Sequence, residues 1–564
     1  MGGRLLHLTF KYLMPLSGIF ALTATLATMS RAQEITNEVK AYSSDLPFEM
    51  PAVKLPTFPD RMFNIMDYDA VAGGVAISTA PIQKAIDACS SSGGGTVIIP
   101  AGLWLTGPIQ MKSNVNLHLN RGALLEFSRD HNDYPIVKVP RQGWIVESPI
   151  LGVGLENIAI SGSGLIDGGG ITWRPVKKDK ASSTLWKQLL KSGGVISQDG
   201  SMWWPTQEAA DGERYLGNLR ATKKKSELSS EDLLPARDFM RPILVLLIGC
   251  DHVLLNGPTF ENSPNHILYP SWCEDVVVRN VKILDEYWGQ NTDAIDVSSS
   301  KNVLIYKCTM SVGDDGICMK SSPSEKSNGP TLQNVVIEDC VVYHAHGGFV
   351  IGSNVDGGME NICVRNCNFV GTDIGLRFKS ARGKGGLVKN VYINKVYMKD
   401  IVHEAVLFDA SYDGNGPGEG SPSRNLNLQP VNDKTPVFQE FYIDSVYCDG
   451  AGQAVRVAGL PEMPVKDIEF SDCTIKAEKG FESNFATNFT LTRMEIIPKK
   501  GRVYSLSESN NFVIDRAVLP KASDIFLYAD KGSSKIQLIH TDLSSAKTPV
   551  AIGEGADSSA VVQK

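Results

Sequence analysis

The chain of 564 residues is poor in aromatics, 8%, and carries no strong charge of either sign, its net charge being −7. That mild acidity argues against nucleic acid or an anionic membrane surface as the main partner. A polyanionic ligand would need a local basic patch on an acidic body. The ten cysteines include no Cys-x-x-Cys pair, and no metal-ligand spacing is visible, so neither a metal nor a cofactor is expected. Beyond an apolar stretch near the N-terminus, no hydrophobic segment of membrane-spanning length occurs. The β-branched repeats described below show no helical periodicity. Glycine, by contrast, is abundant at 52 residues, which suits a turn-rich β architecture.

Arg4, His7 and Lys11 precede the apolar stretch from Leu13 to about Met29, and Ser30-Arg31-Ala32 ends in small residues. Pro15, Ser17 and Gly18 interrupt the stretch, which predicts an export signal cleaved after Ala32 rather than an anchor. The expected mature chain, 33–564, is an exported monomer, periplasmic or extracellular. All ten cysteines lie in it, in a compartment that permits disulfides. Cys308, Cys340, Cys363, Cys367 and Cys473 sit in or beside repeat triplets, which favours free, buried thiols.

Those triplets follow a polar residue and Asn: Lys301-Asn302-Val303-Leu304-Ile305, Gln333-Asn334-Val335-Val336-Ile337, Glu360-Asn361-Ile362-Cys363-Val364 and Lys389-Asn390-Val391-Tyr392-Ile393. Their first apolar residues extend to a series: Ile158, Val253, Val276, Val303, Val335, Ile362, Val391, Phe441 and Ile468. From Val253 to Val391 the intervals are 23, 27, 32, 27 and 29 residues. This period, with β-branched triplets and no Leu-x-x-Leu-x-Leu pattern, predicts an all-β fold, a parallel β-helix with coils about 4.8 Å apart. Asn before each strand suits a tight corner, where its side chain can bond backbone groups. Thr79 to Cys89 reads as an amphipathic capping helix, with Ile82, Ala85, Ile86 and Cys89 on one face. Residues 171–240 and 411–436 break the period and are expected to project as long loops.

Chemically loaded clusters share the period of the scaffold. Asn291-Thr292-Asp293, Gly313-Asp314-Asp315-Gly316, His346-Gly347-Gly348 and Arg377-Phe378-Lys379 follow in order, with Asp293, Asp315, His346 and Arg377 stepping by 22, 31 and 31 residues. In-register residues stack on one face. Asp293, Asp314 and Asp315 would raise one another's pKa values, holding one protonated as an acid while the others remain bases. That division suits glycoside hydrolysis. A calcium site could use the same carboxylates, but the cations one and two coils later oppose it. Arg377 and Lys379 alternate across Phe378 and share a strand face, a guanidinium and an ammonium suited to a carboxylate-bearing ligand. His346 reads as a hydrogen-bond partner that tunes a carboxylate, and Asp296 as a residue that could orient the cluster.

The ordered set Asn-Thr-Asp, Gly-Asp-Asp-Gly, His-Gly-Gly and Arg-x-Lys resembles the polygalacturonases of glycoside hydrolase family 28. The resemblance runs from Phe63-Asn64-Ile65 through Asn262-Ser263-Pro264 to about residue 480. It implies a right-handed parallel β-helix and inverting hydrolysis of α-1,4 links between galacturonates, with no metal. It further implies Asp314 as general acid, Asp293 and Asp315 as the pair that activates water, and His346 as support for the acid. Arg377 and Lys379 would hold the substrate carboxylate, with Asn291 as a subsite contact and Tyr412 as the tyrosine near the cleavage point. Two positions depart from the family pattern, Asn265 for an aromatic and Ala294 for Gly, both bearing on subsite shape. The run Arg377 to Gly386 resembles exo-acting members, with Arg382 as an added carboxylate contact. The insertion at 171–240 could close one end of a groove, so exo attack on a pectic polysaccharide is expected. The alternatives are a hydrolase of rhamnogalacturonan or xylogalacturonan, a calcium-dependent pectate lyase and a non-catalytic carbohydrate-binding solenoid.

Overall fold

The computed structural model describes residues 33–324, 329–412, 426–520, 524–544 and 546–564. The expected leader, 1–32, lies outside the described residues. Nearly all strands join one parallel assembly in which each coil pairs with the coils before and after it, a right-handed parallel β-helix. The triplet positions read from the sequence form a single column. Ile158 pairs with Val253, and the ladder continues through Val276, Val303, Val335, Ile362, Val391, Phe441 and Ile468. It then runs on through Phe489, Phe512 and Ile536, which extend the column beyond the series read from the sequence. All these side chains are buried.

Asn302, Asn334, Asn361 and Asn390 take left-handed backbone, with φ from 54 to 61°. Asn tolerates that region better than most residues. Their side chains bond one another instead of the backbone: Asn334 Nδ2 donates to Asn302 Oδ1 at 3.1 Å, Asn361 to Asn334 at 3.0 Å and Asn390 to Asn361 at 3.3 Å. The corner is thus satisfied along the solenoid axis. All ten cysteines are free and buried.

The capping helix is Thr79–Ser91, and Ile82, Ala85, Ile86 and Cys89 are its buried residues. The segment 171–240 is not a projecting loop. It forms a small antiparallel sheet (Val176–Lys177, Met202–Trp204, Val195–Ile196) and helices that include Ser183–Ser192 and Gln207–Thr222. Its charge is real, but Trp173, Leu216, Leu233 and Ala236 bury against Tyr134, Ile136 and Val146, a satellite core dense enough to order the segment. Of the other predicted loop, 411–436, residues 413–425 lie outside the described residues.

A further element was not expected. Residues 33–58 begin with a helical stretch and lie on the outer face of the triplet sheet, where Val39 and Val53 bury with Ala159, Leu254, Val277, Leu304, Tyr306 and Val336. Polar clamps flank the apolar contact. Glu38 pairs with Arg279 at 2.6 Å and Lys307 at 2.8 Å, and the Tyr42 hydroxyl donates to Asp339 at 2.6 Å. Phe48, further along, reaches Tyr392, its ring centroid 6.0 Å away.

Beneath the polar clusters the core is aromatic. Phe378 lies 4.7 Å from Phe408 and 4.9 Å from Phe441, centroid to centroid, and is fully buried. Replacing it with Ala is expected to cost about 3–5 kcal/mol and to lower the unfolding midpoint in urea. Because Arg377 and Lys379 flank it, activity should fall together with stability.

Candidate active site

The strand register sets the site. Ala294 N donates to Asp315 O at 2.9 Å, Gly316 N to Gly347 O at 2.8 Å and Ile374 N to His346 O at 3.2 Å. Asp293, Asp315, His346 and Asp373 therefore occupy one corner on consecutive coils, as the shared period implied. His266 joins them one coil earlier, since Ile267 N donates to Asp293 O at 2.9 Å. Arg377 and Lys379 project outward from the strand Ile374–Lys379, with Phe378 turned to the core.

Cations divide unequally among the acids. Asp315 is held twice, by Arg377 at 3.2 Å and Lys379 at 2.9 Å. Asp293 is also held twice, by Lys320 at 3.2 Å and by the His266 Nδ1 at 2.8 Å. Asp314 has no Lys or Arg within ion-pair distance among the described residues; its neighbour is His346, at 3.4 Å. Tyr412 places its ring 5.4 Å from the Arg377 guanidinium and 5.3 Å from the Lys379 ammonium.

The protonation pattern corrects the expectation that repulsion among the three acids keeps one of them protonated. Burial raises the Asp315 pKa, but Lys379 and Arg377 outweigh it and hold the group below its usual value. Burial likewise raises Asp293, and the charges of His266 and Lys320 bring it well below the carboxylate range. For Asp314, burial and Asp293 push upward, while the contact with His346 and the Lys379 charge pull it down to about 2. The acid pushed up is Asp296, to about 6, by burial and by the Asp293 charge. His346 is lowered by burial and Arg377, which favours the neutral ring. His266 is raised, because Asp293 and Asp296 outweigh its burial.

The remaining predicted residues are placed as follows. Asn291, with φ 60°, offers its side-chain oxygen to Arg241 Nη2 at 2.8 Å. Arg382 does not join the acids: its guanidinium forks onto Glu462, Nε at 2.6 Å and Nη2 at 2.9 Å. A carboxylate of the protein itself thus occupies the group expected to take a substrate carboxylate. His266, Lys320, Arg241, Tyr287 and Asp373 were not singled out from the sequence. The Tyr287 hydroxyl donates to Asp373 at 3.0 Å, and Asp373 Oδ2 lies 3.9 Å from His346 Nε2. Lys320 had a signal, a lone charge closing the apolar run Ile317-Cys318-Met319. Arg241 had none, since it ends an irregular insertion.

Two groups have metal-like geometry, His266 with Asp293 and Asp296, and Asp314 with Asp315 and His346. The donor sets do not fit a metal. Lys320 Nζ already lies on both carboxylates of the first, and Arg377 and Lys379 on Asp315 of the second. A dication there would face an ammonium or a guanidinium at contact distance.

Stacked carboxylates beside a cationic clamp on a parallel β-helix form an arrangement suited to glycoside hydrolysis. Residues 236–445, which hold every acid of the site, match the model of Glycosyl hydrolases family 28. The chain is 29% identical to the exo-poly-alpha-D-galacturonosidase of Dickeya chrysanthemi over 417 residues, 71% of this chain and 64% of the relative. It thus spans about two thirds of that relative's length. Identity to a probable polygalacturonase of Vitis vinifera is 25% over 418 residues, 73% of this chain and 74% of the relative. The crystal structure of a hyperthermoactive exopolygalacturonase from Thermotoga maritima superposes with a TM-score of 0.64 at 26% identity, covering 83% of this chain and 96% of that one.

Proposed function

We propose that the protein hydrolyses α-1,4-galacturonosidic bonds of polygalacturonate from the chain end, with Asp314 as acid and Asp293 and Asp315 as the pair that activates water. The observation that carries this reading is the unequal division of cations. Two carboxylates each hold a pair of positive groups and stay ionised. Asp314 is held by none. Its contact with His346 can act in either sense, because a ring N–H there favours the carboxylate and a lone pair favours the acid. Arg377 selects the second. A guanidinium only donates, and its Nη1 lies 3.1 Å from the same His346 Nδ1, so that nitrogen must accept. With that lone pair taken by Arg377, the ring nitrogen has no N–H to give Asp314, so the bond that would favour the carboxylate is lost and the rise in its pKa waits for substrate.

Substrate strengthens the effect. A galacturonate carboxylate drawn to Arg377, Lys379 and Tyr412 would spend their positive charge and set a negative charge near Asp314, raising its pKa. The polyanion itself loads the acid.

Exo attack follows from the insertion. Arg174, fully buried, bonds Asp285 at 2.8 Å and Glu286 at 2.6 Å, while Lys180 donates to Gly313 O at 2.9 Å and Arg241 to Gln290 O at 2.8 Å. These ties fix the folded insertion beside the coils that carry the acids, where it is placed to wall off one end of a substrate groove. The test is a time course of products from polygalacturonate. Short products of one size from the first minutes are expected. A ladder of intermediate sizes would overturn exo attack, and no new reducing ends would overturn the hydrolase. Export, to a periplasm or to the outside, belongs to the same reading. It is supported by the expected leader and by a polymeric substrate too large to enter a cell.

A further inference from the structure

We propose that Lys320 is a positioning residue, the cation that holds Asp293 in its ionised, water-activating form, with Asp296 and His266 completing a charge-balanced box behind it. The inference rests on the assignment of Asp293 as a base. Lys320 lies on the strand Ile317–Ser321, and its Nζ bridges Asp293 Oδ2 at 3.2 Å and Asp296 Oδ2 at 2.5 Å. His266 Nδ1 closes the other side, 2.8 Å from Asp293 and 3.3 Å from Asp296. Asp296 is completely buried. The other titratable or charged neighbours are the Tyr269 ring, 6.0 Å from Nζ, the buried Cys318 and, coupled to Asp293 across the corner, Asp315, Asp314 and the Arg241 guanidinium. Asp315 has its own two cations, Arg377 and Lys379. The box therefore contains two carboxylates, one ammonium and one imidazolium.

Balance of this kind makes each charge depend on the others. Without Lys320, two buried carboxylates share only His266, and like charges so close cannot both ionise easily. Protonation of the pair would then move into the working pH range. Asp293 would lose its basic form at acidic pH, where Asp314 is best protonated. Without Asp296, the opposite holds, because Asp293 keeps Lys320 for itself. Asp296 thus earns its place by balancing Lys320, not by touching the reacting atoms.

The sign of each change gives the test. Lys320→Met is expected to move the acid limb of the kcat/KM profile on polygalacturonate upward by about one to three pH units, the usual effect of one adjacent charge. Asp296→Asn should leave that limb in place or lower it, and Lys320→Met with Asp296→Asn should bring it back near the wild-type position. A merely structural lysine predicts a loss of rate at every pH with the limb unmoved, and a worse double variant. Either result would overturn the proposal. If Lys320→Met does not fold, Asp296→Asn alone decides it, since an upward shift there contradicts the balance. Unfolding midpoints supply a readout without substrate. Loss of the ammonium raises the carboxylate pKa values in the folded state, so stability is kept at low pH and lost as pH rises. Lys320→Met should lose more at pH 7 than at pH 4, and an equal loss would count against the box. Should wild-type protein fail to cut polygalacturonate, the functional reading falls, while the midpoints still judge the charge coupling.

Discussion

Asp314→Asn is expected to reduce turnover of polygalacturonate by about 10²–10⁴-fold, the usual contribution of a positioned general acid. The substitution is isosteric and leaves the backbone contact from His346 N to Asp314 O, 2.8 Å, intact. An amide cannot give up a proton to the departing sugar oxygen, but it can still occupy the space beside His346. Binding of short galacturonate oligomers should therefore survive or tighten slightly, since a negative charge has left the site. The measurement is a rate on polygalacturonate with an oligomer titration on the same sample. Near-wild-type turnover by a folded variant would remove Asp314 from the acid role.

Lys379→Ala should have a comparably large effect, for a different reason. Lys379 is buried, and its ammonium lies 2.9 Å from Asp315. Truncation does two things. It removes half of the clamp proposed for the substrate carboxylate, and it leaves Asp315 buried with only Arg377. Breaking a buried pair in this way typically costs about 3–5 kcal/mol of stability. Binding of galacturonate oligomers should weaken far more than binding of neutral oligomers, and the difference should shrink with added salt. Equal weakening of both ligands would refute the carboxylate clamp, whatever happened to the unfolding midpoint. Lys379→Arg, which keeps the charge, should recover much of the stability and less of the rate, because the longer fork disturbs the contact with Tyr412.

The scaffold was legible because period and chemistry coincided. Each polar-Asn-triplet marks the same corner of a coil, so counting residues between triplets counted rungs. The stacking of Asp293, Asp315 and His346 followed without further assumption. What could not be counted was the box around Asp293. His266 and Lys320 belong to the same wall, yet they lie outside the recognisable clusters, and their role depends on side-chain reach across coils. The protonation pattern failed for the same reason. Three acids in register suggest mutual repulsion, but the outcome depends on which cations arrive beside each one, and the lysine beside Asp293 was not in the tally.

Arg382 shows another limit. Its place in the run that resembles exo-acting members pointed to a ligand, while its partner, Glu462, lies 80 residues onward. The insertion was misread because its broken period was weighed and its buried tryptophan and leucines were not. The segment 33–58 left a clue that is clear in retrospect. The middle residues of the triplets face outward, and they stay apolar at Ala159, Leu254, Val277, Leu304 and Val336 before turning to Tyr392, Tyr442 and Glu469. An outward apolar stripe that stops partway along a solenoid needs a cover of matching length.

That cover bears on how the protein would age under stress. A stack of coils is weakest against splaying, where neighbouring rungs part like pages and water enters between them. The N-terminal segment runs lengthwise down the spine, tied through Glu38, Tyr42 and Phe48 to rungs that also carry the acids on the far edge. A single peptide-bond cut near residue 58 would free that binding, and the pages holding the carboxylates would be the first to loosen.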